Sequence, residues 1–174
     1  MKKTLQEIDK EQKMRESIYF NMQLLSYRLE KLKSIDAMEK DNQFEFLTYF
    51  DAILVSVRAL FLENDKKSFS LVNFFKKTND ETRLKLLYDL LDSSFNAQDE
   101  ENKIDGEKYI TLKDALKLLT DKFICHHDKN SNIKIGNANY IMSILSNKHH
   151  KHYLVNILER IFSIYSDALL NTKN

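Results

Sequence analysis

The chain has 174 residues, of which 43% are hydrophobic and 30% are charged, and its formal net charge is +1. This length and balance are typical of one folded domain and exclude a disordered chain. The small net charge excludes a global field that attracts nucleic acid, so RNA binding would need a local basic patch. Proline is absent and glycine occurs twice, whereas the tight turns of a sheet protein usually need both. Composition therefore predicts an all-α fold, and the helical periodicity of the five segments described below predicts more than about two-thirds helix.

Three features predict a cytoplasmic protein without a membrane-spanning segment. Residues 1–16 are charged and polar, unlike a secretory signal peptide. The longest apolar run, from Ala52 to Val57, is far shorter than the roughly 20 residues that a membrane span needs. Cys125 is the only cysteine, which excludes an intrachain disulfide and suits a reducing compartment.

The first two helices have the clearest pattern. Apolar residues recur at steps of three and four, which predicts helices over roughly residues 5–37 and 43–62. Asp41 or Asn42 is expected to cap the second helix. The predicted buried stripes are Leu5, Ile8, Ile18, Met22, Leu25, Leu29 and Leu32 in the first helix and Phe44, Leu47, Phe50, Leu54, Val57 and Phe61 in the second.

A short helix and a third long helix follow. The short helix is predicted at roughly residues 71–76, with Ser68 or Ser70 as its N-terminal cap. The third long helix is predicted to start near Asp80 and to include Phe95. Its predicted buried stripe is Leu84, Leu87, Leu91 and Phe95.

A loop and a fourth helix are predicted next. Residues 96–108 are acidic and contain an Asp105–Gly106 turn signal, which predicts a loop. Thr111, with Asp114 three residues later, is close to a capping box and predicts the start of the fourth helix. The predicted stripe of this helix is Leu112, Leu116, Leu119 and Phe123.

The last helical stretch is predicted over roughly residues 138–170. Gly136 and Asn137 are expected to break the chain before it, and a kink is expected near Ser146–Asn147. The sequence shows no internal repeat and no linker. We therefore expect one domain over residues 1–174, a bundle of long amphipathic helices with one or two short accessory helices.

The string from Thr120 to Asp128 is the richest in reactive side chains. It closes the fourth helix and holds two histidines, two aspartates, one lysine and one cysteine. Histidine titrates near neutral pH, so His126 or His127 can give or take a proton in catalysis. A plain alternative is a polar helix end at which one histidine caps backbone carbonyls. The residues alone leave both interpretations open.

Two phrases, DKFICHHD (Asp121–Asp128) and DAILVSVRALF (Asp51–Phe61), resemble phrases of a known family. The first resembles the "RDKxxAHxD" phrase of the abortive-infection U-type (AbiU-like) branch of the HEPN superfamily, helical domains named for higher eukaryotes and prokaryotes nucleotide-binding. The second, followed by Asp65–Ser68 and then by Ser70–Leu71, is similar to that branch's second helix and its "SL" entry to a short helix. The resemblance covers roughly residues 10–165 and implies a HEPN-like fold and a role in phage defence or a toxin–antitoxin type system.

The resemblance also implies a chemistry. In that family an arginine and a histidine act together in metal-independent RNA cleavage, in which the ribose 2′-hydroxyl attacks the adjacent phosphodiester. By resemblance His126 serves proton transfer, with His127 as the close alternative, and Asp121 orients the histidine or its phosphate partner. Thr120 stands where the family has its arginine, and threonine cannot supply that charge. Thr120→Arg is therefore expected to raise the rate of any cleavage.

Arg58 is the other arginine of interest, because it interrupts the apolar run of the second helix. On a structural interpretation its stem lies along the core while its head reaches water or pairs with a carboxylate. On a functional interpretation it approaches the end of the fourth helix and replaces the missing guanidinium.

Three further histidines, His149, His150 and His152, stand close together. The spacing of His149 and His152 would suit zinc if they were helical, but no acidic or cysteine partner lies nearby in sequence. We therefore expect a solvated polar stretch and no metal.

The remaining reactive groups are expected to be structural. Cys125 is expected to be a small buried residue and not a nucleophile. Lys66–Lys67 and Lys76–Lys77 can contact phosphates but are expected to be solvated surface. The absence of a glycine-rich phosphate loop argues against a nucleotide triphosphatase, and we expect no cofactor.

Two functions remain after these arguments. One is a metal-independent endoribonuclease of phage defence with a degenerate motif, acting on RNA. The other is a non-catalytic helical interaction module that binds a partner protein or RNA. A homodimer is expected in either case, because the resemblance places the motif at a helical dimer interface and closed two-fold dimers are common.

Overall fold

Most of the chain is helical. The computed structural model describes residues 5–35, 39–63, 65, 68–96, 109–120 and 135–170. Helices account for 81% of these residues, and the strands among them are two short ones that form a hairpin. The prediction of an all-α fold is therefore confirmed.

The chain divides into two compact units, Met1–Leu84 and Lys85–Asn174. The predicted single domain over residues 1–174 stays a prediction. Within the described ranges, every helix is either too short or too polar to cross a membrane.

Unit 1 is built from helices joined by short turns. Its elements are α1 (Leu5–Ser34), a 3₁₀ turn (Lys40–Asn42), α2 (Gln43–Val57), a π-helical turn (Arg58–Leu62), α3 (Leu71–Lys77) and the first part of α4 (Glu81–Leu91). α1 and α2 pack against each other, and Arg28 near the end of α1 donates to Ala52 and Ser56 of α2. The predicted second helix thus corresponds to α2 together with the π-helical turn.

Apolar stripes form the core of unit 1. The buried side chains are Met14, Ile18, Met22, Leu25, Leu29, Leu32 and Ile35 from α1 and the residue after it, Phe50, Ile53, Leu54, Val57, Leu60 and Phe61 from α2 and its π-helical turn, and Leu71, Val72, Phe74 and Phe75 from α3. Arg15 of α1 lies over the ring of Phe74, with its guanidinium carbon 5.5 Å from the ring centroid. Burial of these stripes is what holds the three helices together.

Both predicted stripes in this unit are longer than the faces that are buried. The predicted members that are exposed are Leu5, Ile8, Phe44 and Leu47. Phe44, the clearest case, is 82% exposed. A helix turns by about 100° per residue, so Phe44 lies about 120° around α2 from the buried Phe50. Phe44 therefore faces away from the core.

Side chains define the ends of α3. The Ser70 hydroxyl accepts the backbone N–H of Asn73 at 3.3 Å, so Ser70 is the N-terminal cap. At the other end Asn79 adopts a left-handed conformation with φ of 54°. The Asp80 N–H then reaches back to the carbonyl of Phe75 at 2.9 Å, which satisfies a carbonyl that the helix leaves open. By contrast, the expected cap of α2 is absent, since neither Asn42 nor another side chain caps its first turn.

Unit 2 combines helices with one hairpin. Its elements are the rest of α4, β1 (Ser94–Asn96), β2 (Tyr109–Thr111), α5 (Leu112–Leu119), α6 (Ile135–Ser146) and α7 (Leu154–Leu170). The strands are antiparallel, with Ser94 opposite Thr111 and Phe95 opposite Ile110. The Phe95 side chain is fully buried. The hairpin therefore anchors the start of α5 with an apolar side chain.

The capping box of α5 is confirmed. The Asp114 N–H donates to the Thr111 hydroxyl at 3.1 Å, and the Thr111 N–H donates to the Asp114 carboxylate at 3.3 Å. Leu112, Leu116 and Leu119 of the predicted stripe are buried, and Phe123 lies outside the described residues.

Two predictions in unit 2 are wrong, and a third is right about the place of an interruption but not about its kind. α4 ends at Leu91, and Phe95 belongs to a strand and not to the helix. Gly136 lies inside α6, because one glycine near a helix start costs at most about 1 kcal/mol. The expected kink near Ser146–Asn147 is a complete break that separates α6 from α7.

Candidate functional site

Arg58 is the one predicted site residue within the described ranges. It begins the π-helical turn that ends α2, and the Glu63 N–H closes this turn by donating to the Arg58 carbonyl at 3.1 Å. The side chain is half-buried, and its Nη1 atom is inaccessible to solvent. The side chain is thus partly buried, as its place in an apolar run predicts, and the buried part includes one nitrogen of the guanidinium group. Single π-helical turns occur frequently at functional sites.

Arg58 lines a groove of about 380 Å³ in unit 1. The lining residues are Ser17 and Asn21 from α1, Val55 and Ser56 from α2, Arg58, Ala59 and Leu60 from the π-helical turn, and Glu63, Ser68 and Phe69 after it. The groove thus combines apolar walls with hydroxyl and amide groups, one cation and one carboxylate. This mixture suits a small amphipathic group, and Glu63 reduces the attraction of Arg58 for an anion.

Hydrogen bonds hold both walls of this groove. Arg28 Nη1 donates to the Ser56 hydroxyl at 2.6 Å and to the Ala52 carbonyl at 3.2 Å. On the other side Asn73 Nδ2 donates to the Ser68 carbonyl at 3.1 Å and to the Asp65 carbonyl at 2.7 Å. These bonds hold the Ser56 hydroxyl and the Ser68 backbone in place, and both residues line the groove.

Thr120 occupies a core position in unit 2. It caps the C-terminus of α5 and is 0% exposed. Its hydroxyl donates to the Lys117 carbonyl at 3.2 Å, which satisfies the buried oxygen within its own turn. An arginine side chain at this position would have to enter the core or displace its neighbours.

The other predicted site residues, Asp121, His126 and His127, lie outside the described residues. Cys125 and the pair Lys66–Lys67 lie outside them as well. The expected approach of Arg58 to the end of α5 stays a prediction.

The predicted solvated histidine stretch is wrong for His152. This side chain is 8% exposed, and its ring centroid lies 5.0 Å from that of Phe95 and 5.5 Å from that of His150. Burial lowers the pKa of His152 from 6.5 to about 4, with smaller contributions from the charges of Lys151 and His150. A hydrogen bond to the Ser94 backbone acts in the opposite direction and raises this pKa. His152 is therefore neutral at pH 7. The sequence gives no local signal for this burial, because Phe95 is distant in the chain.

The histidines do not form a zinc site in the described structure. His149 and His152 lie in the turn between α6 and α7, so the helical spacing that would suit zinc does not arise. No group of three or more potential metal ligands occurs within the described ranges. Lys76 and Lys77 are exposed in the last turn of α3, where their charge complements the helix dipole.

Sequence reasoning missed a second feature, an exposed aromatic surface on α1. Phe20 is 67% exposed and Tyr27 is 55% exposed, and the two lie two helical turns apart on one side. Glu16, Gln23 and Lys31 lie on the same side and are also exposed. We call these five residues the outer face of α1. The signal was present in the sequence, since Phe20 and Tyr27 are apolar positions seven residues apart that do not belong to the buried stripe.

Comparisons with known proteins give no identification. No protein-family model, no curated protein and no solved structure matches this chain.

Proposed function

We propose that this chain is a HEPN-like helical protein of a phage-defence or toxin–antitoxin type system and acts as a non-catalytic module that binds a partner protein. The observation that carries the proposal is the burial of Thr120. The cleavage chemistry implied by the resemblance needs a guanidinium at this position to stabilise charge on the phosphate. Position 120 instead holds a small side chain whose hydroxyl is satisfied by its own helix.

The outer face of α1 supports protein binding. Exposed aromatic side chains with a polar surround are typical of protein interaction sites, and aromatic residues are enriched among the residues that dominate binding energy. Phe20 and Tyr27 provide such a pair, and neither is needed for the core of unit 1.

The proposal is tested by incubating the purified chain with RNA in the presence of a chelator. We expect the RNA to stay intact even when the protein is present in molar excess. Fragments that end in a 2′,3′-cyclic phosphate, and that disappear with His126→Ala or His127→Ala, would overturn the proposal, since such ends arise only from attack by the ribose hydroxyl.

A second candidate is a metal-independent endoribonuclease in which Arg58 supplies the guanidinium. The groove in unit 1 favours it, because Arg58 lines this groove together with the polar residues Ser56 and Asn21. On this candidate His126 or His127 transfers the proton and Asp121 orients it. Arg58→Ala would then abolish cleavage while the exposed control Arg160→Ala would not, with melting curves of both variants showing an intact fold.

A further inference from the structure

The outer face of α1 is symmetric about its own midpoint. The point midway along the chain between Phe20 and Tyr27 falls just after Gln23. The midpoint of positions 16 and 31, Glu16 and Lys31, falls at the same place. A two-fold rotation about this point therefore exchanges the two aromatic positions with each other and the two charged positions with each other.

The two charges of this face have no ion-pair partner in the described parts of the chain. Glu16 Oε1 accepts a hydrogen bond from Gln12 Nε2 at 3.0 Å, and the negative charge of Glu16 also helps to raise the pKa of Lys13, three residues earlier. Lys31 Nζ lies 5.7 Å from the centroid of the Tyr27 ring. Other charges along α1 are paired within the helix, with N–O distances of 2.8 Å for Lys13–Asp9, 3.9 Å for Arg15–Glu11 and 2.9 Å for Lys33–Glu30. Glu16 and Lys31 are both exposed, so their charges are accessible to a second molecule.

We propose that the outer face of α1 is the contact between two copies of this chain, in which the two α1 helices lie antiparallel about a two-fold axis beside Gln23. Phe20 of one copy packs against Tyr27 of the other, and Glu16 of one copy pairs with Lys31 of the other. Each contact occurs twice, as in any closed two-fold interface. This inference rests on the proposed function of an interaction module and names its partner as a second copy.

The symmetry of the face is what favours a second copy over another occupant. An unrelated protein would need no match between the midpoints of the aromatic and the charged pairs. A single strand of RNA would meet the exposed Glu16 carboxylate on this face, which would repel its phosphates.

A charge-reversal cycle tests the proposal most sharply. Glu16 and Lys31 lie about 22 Å apart along one helix, too far to interact within a single chain. Sedimentation equilibrium on Glu16→Lys and on Lys31→Glu should show dimer dissociation constants raised by about threefold to tenfold each. The double variant Glu16→Lys/Lys31→Glu should restore the wild-type constant, because the opposite charges then meet again across the axis.

Substitution of Phe20 provides an independent test of the same interface. Phe20→Ser removes an aromatic contact twice in each dimer and should raise the dissociation constant at least about thirtyfold. Phe44→Ser is the matched control, because Phe44 is also a highly exposed phenylalanine of unit 1 but lies on α2. We expect no change for the control, and unchanged helical circular dichroism for both variants.

The inference is overturned if the wild-type chain remains a monomer at high micromolar concentration. A dimer that is unaffected by Phe20→Ser, or that the double reversal weakens further, overturns it as well. None of these outcomes affects the proposed function as long as the RNA stays intact. RNA cleavage by the wild-type chain, by contrast, refutes the proposed function whether or not the chain dimerises.

Discussion

Lowering the pH from about 7.5 to about 5 should cost the wild-type chain about 2 kcal/mol of stability through His152 alone. The folded state holds this imidazole neutral, with a pKa lowered from 6.5 to about 4 by burial. The unfolded chain therefore binds the proton first as the pH falls. The contribution of His152 to stability is complete above pH 6.5, declines as the pH falls and is lost at about pH 4.

The magnitude follows from the two pKa values. At about pH 5 nearly all unfolded chains carry the proton on this histidine, whereas only about one folded chain in ten does so. Protonation of His152 at this pH therefore favours the unfolded state over the folded state by a factor of roughly thirty, which corresponds to about 2 kcal/mol at 25 °C.

Urea denaturation followed by circular dichroism measures this cost. Other groups titrate in the same window, so the comparison is between wild type and His152→Asn, which retains a donor toward the Ser94 backbone but does not titrate. Wild type should lose about 2 kcal/mol more than His152→Asn between the two pH values, at one fixed protein concentration. His149→Asn, an exposed control in the same turn, should lose as much as wild type.

Equal losses in wild type and in His152→Asn would refute this reasoning. Such a result would mean that His152 is accessible to protons in the folded chain. It would also contradict the packing of His152 against Phe95.

Three further substitutions test local parts of the account. Thr120→Arg should destabilise the chain by at least about 2 kcal/mol in a thermal melt, since it forces a charge toward the core, and an unchanged melting temperature would show that this position opens to solvent. Thr111→Ala should cost about 1 kcal/mol of unfolding free energy by removing the capping box, while the exposed Thr48→Ala serves as its control. Asn79→Gly should preserve or raise stability and Asn79→Ala should lower it by about 1 kcal/mol, because the left-handed conformation at this position favours glycine; the opposite order would contradict the described turn.

The fold class and the starts of α2 to α5 could be predicted because their signals are local. The capping box of α5 lies within four residues, Thr111 to Asp114, and the first two helices repeat apolar residues at helical spacing. The hairpin could not be predicted in this way. Each of its strands has three residues, which is too short for a period-two pattern to emerge.

The candidate site was only partly predictable for a similar reason. The partial burial of Arg58 follows from its place in an apolar run. The contact of His152 with Phe95 depends on residues that are brought together only by the fold, and none of the sequence patterns discussed above predicts the π-helical turn at Arg58. The burial of Thr120 changes the expectation for Thr120→Arg, because a side chain that enters the core is not available to grip a phosphate.

The proposal that this chain does not cleave RNA can be tested by a single-turnover cleavage experiment in the presence of a chelator. A mixed-sequence RNA is incubated with excess protein, and its fragments are analysed by mass spectrometry for 2′,3′-cyclic phosphate ends. The account predicts that wild type and the double variant His126→Ala/His127→Ala leave the RNA equally intact. Cleavage by wild type at least about a hundredfold faster than by the double variant, the usual scale for loss of a general acid or base, would contradict it.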